Sequence, residues 1–272
     1  MDWNVCRISI PVFDIIESKD FYDFILDVSE YNFNKFQTEN ECFVTGGNCE
    51  LKLYRLKNSL KNDKFQSRKC YPTIAIKNLN KIIRNLKNKE IQHLKSIYSN
   101  EPLITSVVIQ ESSLNYLELI DYKNFPDEKN KLKPYKWSFH HINLESYNVR
   151  SSVDYITQFL QIREGTWKAP ETIGDVNIDK TQLSIFPTGN HHEGLHINKA
   201  DFTFSWRNSF IHNPTIGGHP AFTVKDIESF MVKLEKNKIA FTDAKIYAMP
   251  NIHQVYLYDP NANIIEINQL IS

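Results

Sequence analysis

Gly218-His219-Pro220-Ala221-Phe222-Thr223-Val224 opens a C-terminal segment that runs through Gln254-Val255-Tyr256-Leu257-Tyr258-Asp259-Pro260 and closes on Ile264-Ile265-Glu266-Ile267. The first half of the chain holds a copy of it. Tyr71-Pro72-Thr73-Ile74-Ala75-Ile76 stands at the front and Tyr116-Leu117-Glu118-Leu119 at the back, with matching offsets: 219 − 71 = 148 and 266 − 118 = 148. Between these ends lie Leu79, Ile82, Ile83 and Leu86 in one copy and Ile227, Phe230, Met231 and Leu234 in the other. Both sets follow i, i+3, i+4, i+7, the spacing that puts one apolar stripe of a helix against a sheet. Asn78 and Asp226 stand one residue earlier, where an N-cap belongs. Only the second copy has an imidazole at its front strand, which predicts a scaffold half and a functional half.

A second repeat runs at an offset of 134 residues. Cys6 to Val12 reads as a strand and Ser18 to Leu26 as a helix, followed by strands at Tyr31 to Gln37, Glu41 to Thr45 and Glu50 to Leu56. The pattern restarts with a strand over Phe139 to Leu144 and a helix over Val149 to Leu160 (152 − 18 = 134). Phe21, Ile25 and Leu26 then fall on Tyr155, Phe159 and Leu160. Four units result, two in residues 1–123 and two in residues 137–272. The segment 124–136 contains Pro126, Pro134 and several lysines, and reads as an exposed linker.

Composition narrows the function. The 272 residues carry 32 basic and 32 acidic side chains, so no net field favours nucleic acid or an anionic membrane surface. Apolar runs are strand-sized and the N-terminus lacks a basic start before an apolar stretch, so neither a secretory signal nor a membrane span is expected. Four cysteines without a CxxC pair, all within the first 70 residues, predict reduced, buried thiols and a cytoplasmic protein. Eight of the nine histidines follow residue 139, which places proton-transfer or metal-binding chemistry in the second half.

Paired βαβββ units of this kind, with a histidine on the front strand and "DPxxNxIE" leading into the last, resemble the vicinal oxygen chelate superfamily. That group includes glyoxalases, bleomycin and fosfomycin resistance proteins, epimerases and extradiol ring-cleaving dioxygenases. The resemblance implies an α+β fold of tandem paired modules, with curved, cleft-like mixed sheets and helices outside. It implies metal ligands on the first strand of the third unit and on the first and last strands of the fourth, which here are His141, His219 and Glu266. His141 is preferred to His140 because it precedes Ser152 by eleven residues, the spacing of Arg7 and Ser18. The equivalent residues of the first half, Arg7, Tyr71 and Glu118, make a poor metal set.

Two histidines and a carboxylate leave open positions for a bidentate ligand and dioxygen, the set typical of non-haem Fe(II) oxygenases. The layout is similar to that of type I extradiol dioxygenases. That resemblance implies Fe(II), with Mn, Zn, Ni or Co as other divalent candidates, a catechol-like substrate, dioxygen, and a homo-oligomer. It also implies a proton-transfer role for His196 and a substrate contact for Tyr256, with His212 and His253 as further pocket residues. For His196 the alternative is a polar hairpin tip formed with His191 and His192; for Tyr256 it is plain packing. The chain departs from the extradiol signature at two places: Tyr247, Ala248 and Met249 stand where a histidine is expected, and Ala262 where Gly or Pro is expected. Two other functions remain open: a glyoxalase- or epimerase-like lyase or isomerase, and a non-catalytic aromatic-ligand binding or resistance protein. The 17 Phe, 13 Tyr and 4 Trp suit an apolar pocket in either case.

Overall fold

A computed structural model describes residues 2–27, 38–57, 66–100, 102–124, 136–170 and 179–271. The strand expected at Tyr31 to Gln37 and most of the linker lie outside the described residues.

The first half consists of β1 (Trp3–Val12), α1 (Ile15–Leu26), β2 (Glu41–Thr45), β3 (Glu50–Arg55), β4 (Tyr71–Ile76), α2 (Leu79–Asn88), β5 (His93–Asn100), β6 (Leu103–Gln110) and β7 (Tyr116–Asp121). The second consists of β8 (Trp137–Ser146), α3 (Val149–Tyr155), β9 (Leu183–Pro187), β10 (Gly194–Lys199), the short α4 (Phe204–Arg207), β11 (His219–Val224), α5 (Ile227–Lys236), β12 (Phe241–Ile246), β13 (Ile252–Tyr258) and β14 (Ile264–Leu270). Each half forms one seven-stranded mixed sheet, ordered β2-β3-β1-β4-β7-β6-β5 and β12-β13-β14-β11-β8-β10-β9. The duplication read from the sequence is kept in the front strands and in helices α2 and α5, while β9 and β10 follow β2 and β3 at 142 and 144 residues (183 − 41 and 194 − 50). β8 repeats β1 at 134 positions at both ends (137 − 3 and 146 − 12), and α5 repeats α2 at 148 (227 − 79 and 236 − 88).

In each sheet the front strands of two units lie side by side and antiparallel at the centre: β1 with β4, and β8 with β11. These strands are buried along almost their whole length, which is why their sequences alternate only loosely. A strand covered on both faces reads as a continuous apolar run. The helices cover one face and leave the other for the curl of the sheet. The helix layers of the two halves meet: α2 packs beside the π-turn Ile156–Leu160 that ends α3, and the Lys233 ammonium of α5 caps the Phe24 carbonyl of α1. One apolar core therefore runs through both halves, from Ile8, Leu51 and Leu86 to Leu195, Leu234 and Ile265.

Local signals are mostly obeyed. Asp226 caps α5 through the Ser229 N–H, and Asn148 caps α3 through the Ser151 N–H. Asp14 caps α1, which starts it at Ile15, a turn earlier than the apolar spacing indicates. Asn78 behaves differently. It is left-handed (φ 61°) with no side-chain cap, and a backbone turn supplies the start of α2 instead. The helix expected over Val149 to Leu160 is α-helical only to Tyr155, and its last turn is π-helical, stopped by left-handed Gln161. Ala262 also has a positive φ of 61°, a left-handed conformation that favours glycine. All four cysteines are buried and free. Among the described residues no helix is long and apolar enough to cross a membrane.

A buried polar contact ties the halves together. The Tyr22 hydroxyl of α1 donates to Asp259 Oδ2 at 3.0 Å in the turn before β14, where Asn263 Nδ2 donates to the same oxygen at 2.8 Å. Tyr22→Phe removes one hydrogen bond to a buried carboxylate and keeps the ring, so unfolding in urea should show a loss of about 1–2 kcal/mol. An unchanged midpoint would mean that the contact contributes nothing.

Candidate metal centre

Side-chain alternation brings the predicted ligands to one face. On β8, His141 and Asn143 point into the curl; on β11, His219; on β14, Glu266 and Asn268; on β13, Gln254 and Tyr256. Register then sets them next to each other. Ala221 pairs with both His141 and Glu266, His219 sits opposite Asn143, and Tyr256 opposite Glu266. Gly218 permits the close approach of β11 to β8: its φ is +71°, and a Cβ there would lie 2.7 Å from the Asn143 carbonyl. Any side chain at 218 would push His219 away from the other two residues.

His141, His219 and Glu266 are fully buried, and one potential ligand atom from each lies within 4.8 Å of the others. His141 Nε2 stands 3.5 Å and His219 Nε2 3.4 Å from Glu266 Oε2. Oε2 has no hydrogen bond, although it is fully buried. An unpaired buried carboxylate oxygen is costly, and both contacts exceed the ~2.7–2.9 Å of a charge-assisted hydrogen bond. Atoms held about 2.1 Å from one ion at near-octahedral or tetrahedral angles stand roughly 3.0–3.4 Å apart. The two contacts to Oε2 are close to that spacing, and the donor set suits a divalent cation.

Burial lowers the pKa of His219 despite the neighbouring carboxylate, which favours the neutral, ligating imidazole. Burial alone would raise Glu266, but the rings of His141 and His219 beside it outweigh this and hold it well below the usual carboxylate range. Its other oxygen accepts from Asn268 Nδ2 at 2.9 Å, and Asn268 Oδ1 accepts from Thr223 Oγ1 at 2.7 Å, a chain that fixes the carboxylate plane.

The first half shows what the same positions look like without this arrangement. Glu118 accepts from Thr73 Oγ1 at 2.6 Å and Ser106 Oγ at 2.5 Å, so both of its oxygens are satisfied. Arg7 pairs with Glu50 at 2.5 Å and stacks on the Tyr98 ring at 3.7 Å. Arg7→Ala should leave the metal content of the protein unchanged but lower its stability by on the order of 2 kcal/mol, because a half-buried Glu50 loses its partner. Metal analysis and chemical denaturation of the same sample measure both effects, and a fall in metal content would count against a structural role for this half.

A cavity of about 390 Å³ opens beside the three residues, a size typical of small-molecule sites. His196 lines it, with its ring stacked on His141 (3.8 Å between centroids, 16°) and edge-on to Trp167. Nε2 lies 2.6 Å from the His192 carbonyl, which can only accept, so Nε2 carries the proton and Nδ1 the lone pair. His192 belongs to the preceding turn, whereas His196 is a strand residue of β10. Tyr256 also lines the cavity, and its hydroxyl accepts from Gln254 Nε2 at 2.8 Å; burial first and Glu266 second push its pKa well above the ordinary range. Tyr256 is thus a neutral phenol.

Two expected pocket residues are placed elsewhere. His253 alternates to the opposite face of β13 from Gln254, where it bonds Asp243 Oδ1 at 2.6 Å. His212 is buried against Thr242 and Tyr258, bonded to Thr242 Oγ1 at 2.9 Å, and does not line the cavity. Tyr247, Ala248 and Met249, standing where the signature has a histidine, do line it. Asn143 and Gln254 went unnoticed in the sequence, yet each lies two residues from a candidate on the same strand, and alternation alone identifies them. Trp167 has no such signal. It comes from an irregular segment and reaches the site because its Nε1 donates to the Ala248 carbonyl at 3.0 Å.

No family model and no curated protein matches the sequence. Solved structures do match in fold. The 2,3-dioxygenase LapB from Pseudomonas sp. KL28 superposes with a TM-score of 0.67 at 11% identity, covering 98% of this chain and 91% of that one. Homoprotocatechuate 2,3-dioxygenase from Arthrobacter globiformis gives 0.64 at 14% identity, covering 98% and 79%. A variant of the Brevibacterium fuscum homoprotocatechuate 2,3-dioxygenase gives 0.67 at 11%, covering 98% and 71%. At such identities the likeness is one of fold. The chain has the vicinal oxygen chelate fold, which it shares with these 2,3-dioxygenases over 98% of its length.

Proposed function

We propose that this protein is a metal-dependent dioxygenase of extradiol type, with His141, His219 and Glu266 as ligands of a divalent ion, Fe(II) first among them, and a catechol-like diol as substrate. The observation that carries the reading is the buried Glu266 Oε2 facing two imidazole Nε2 atoms at 3.4 and 3.5 Å, at the floor of a cavity also lined by His196 and Tyr256. A bound ion supplies Lewis acidity and dioxygen chemistry at positions left open by three protein ligands.

The chain supplies the rest. His196 Nδ1 takes a proton from the diol and later returns it, since Nε2 is committed to the His192 carbonyl. Tyr256 stays protonated and donates to a substrate oxygen, with Gln254 orienting its hydroxyl. Trp167, Phe204, Tyr247 and Met249 supply apolar walls that exclude water and hold an aromatic ring.

The lyase or isomerase reading calls for a second carboxylate at the metal. Besides Glu266, the described cavity lining contains only one acidic residue, Asp201, and that one pairs with Arg207. The deciding experiment reconstitutes the protein anaerobically with Fe(II), Mn(II) or Zn(II) and screens oxygen uptake with a series of catechols. Stoichiometric metal with diol-dependent oxygen consumption is expected. No oxygen uptake with any diol, combined with turnover of methylglyoxal–thiol adducts or of an epimerase substrate, would replace the dioxygenase reading. A homo-oligomer belongs to the same proposal and is measured by sedimentation.

A further inference from the structure

His140 and His141 are neighbours in one strand, yet their Nδ1 atoms lie 2.8 Å apart. Consecutive strand residues normally point to opposite faces, so such a contact needs a local irregularity. The pairing of β8 with β11 provides it. His141 faces Ala221 and Phe139 faces Phe222, leaving His140 as an extra residue with no partner across the ladder. A bulge of this kind re-aims side chains, and here it turns two adjacent rings toward each other. The repeat has the same bulge in the first half, where Arg7 faces Thr73 and Val5 faces Ile74, leaving Cys6 over (140 − 134 = 6). There the extra side chain bonds the Thr73 backbone carbonyl.

Two imidazoles joined through Nδ1 atoms share one proton between those atoms. His141 Nε2 faces Glu266 and His219, and a ligating Nε2 needs its lone pair. With an ion on Nε2, the shared proton would sit on His141 Nδ1 and His140 Nδ1 would accept it. His140 is itself buried, 5% exposed, and is not among the three converging ligand atoms.

We propose that His140 is a positioning residue of the metal centre. Bulged out of β8, it accepts the Nδ1–H hydrogen bond of His141 and so holds that ring in the tautomer and orientation that present Nε2 to the ion. The role rests on the proposed metal reading. It also explains the purpose of two consecutive histidines: one binds, and the other aims it. Ligating imidazoles depend on such a partner for their second nitrogen, and its loss typically lowers metal affinity about 10–100-fold.

The test uses two substitutions that differ in one atom's chemistry. Asn Oδ1 and His Nδ1 are both attached to Cγ, so His140→Asn keeps an acceptor at that place, whereas His140→Leu puts a methyl group there. Chelator competition with Co(II) or Zn(II) on the full-length protein should give wild-type-like affinity for His140→Asn and a loss of about 10–100-fold for His140→Leu. Nitrogen-15 spectra of histidine-labelled, Zn(II)-loaded wild-type protein should show a coupling across the hydrogen bond between His141 Nδ1 and His140 Nδ1, a readout that holds even if His140→Leu fails to fold. Wild-type affinity in His140→Leu, equal losses in both variants, or no coupling between the two Nδ1 atoms in the loaded protein would each overturn the proposal. A wild-type protein that takes up no metal at all would instead remove the metal reading beneath it.

Discussion

Glu266→Ala is expected to abolish stoichiometric metal binding while the protein remains folded, and His219→Ala to do the same. Glu266 is the only anionic ligand of the three, and two neutral imidazoles cannot balance a divalent charge in a buried site. The variant leaves Asn268 Nδ2 without its acceptor, a cost of about 1–3 kcal/mol that a core of this extent tolerates. For His219 the first half provides a precedent, because the same fold forms there with Tyr71 at the equivalent position. Thermal unfolding gives a second readout. An ion present at about a hundred times its dissociation constant stabilises the native state by ~2.7 kcal/mol, so metal should raise the Tm of the wild type and leave both variants unmoved. Normal metal content in either variant, or a wild type that binds none, would show that the cluster is not a metal site.

His196→Ala should retain metal and substrate affinity and lower turnover about 10²–10⁴-fold, the usual contribution of a general acid–base group. One complication is its contact with His141, since the two rings stack at 3.8 Å. His196→Phe resolves it by keeping a flat ring against the ligand and removing both nitrogens. A proton-transfer role predicts that both variants retain metal and lose activity alike; a packing role predicts that Phe restores what Ala loses. Tyr256→Phe should cost less than either, because the ring remains and one hydrogen bond is lost. Wild-type turnover in His196→Ala would remove the role altogether.

Much of the candidate site was legible because duplication supplies an internal ruler. Offsets of 134 and 148 residues locate His141, His219 and Glu266 against Arg7, Tyr71 and Glu118, and the front strands of all four units and helices α2 and α5 keep those offsets. His253 and His212 illustrate where the ruler stops. His253 lies in the right strand, but the two-residue alternation that sends Gln254 and Tyr256 into the cavity sends it to the other face. His212 lies in an irregular segment, where no period predicts direction and Thr242 captures the ring. Asn78 failed as a cap for a related reason: residue type permits a side-chain bond, but backbone conformation decides it, and a left-handed Asn turns its side chain elsewhere.

By itself, the amino-acid sequence showed the four-unit repeat and the strand–helix order of its front strands and helices, because periodicity and spacing along a chain are local properties; the three candidate ligands followed only from the family resemblance laid onto that repeat. Only tertiary structure decided how those ligands meet. Bringing Glu266 Oε2 within 3.5 Å of both imidazoles depends on the register of β8, β11 and β14, and on a glycine that lets β11 approach the Asn143 carbonyl. The bulge at His140 and the seat of Trp167 on the Ala248 carbonyl are likewise set by pairings between segments distant in sequence, for which no local pattern exists.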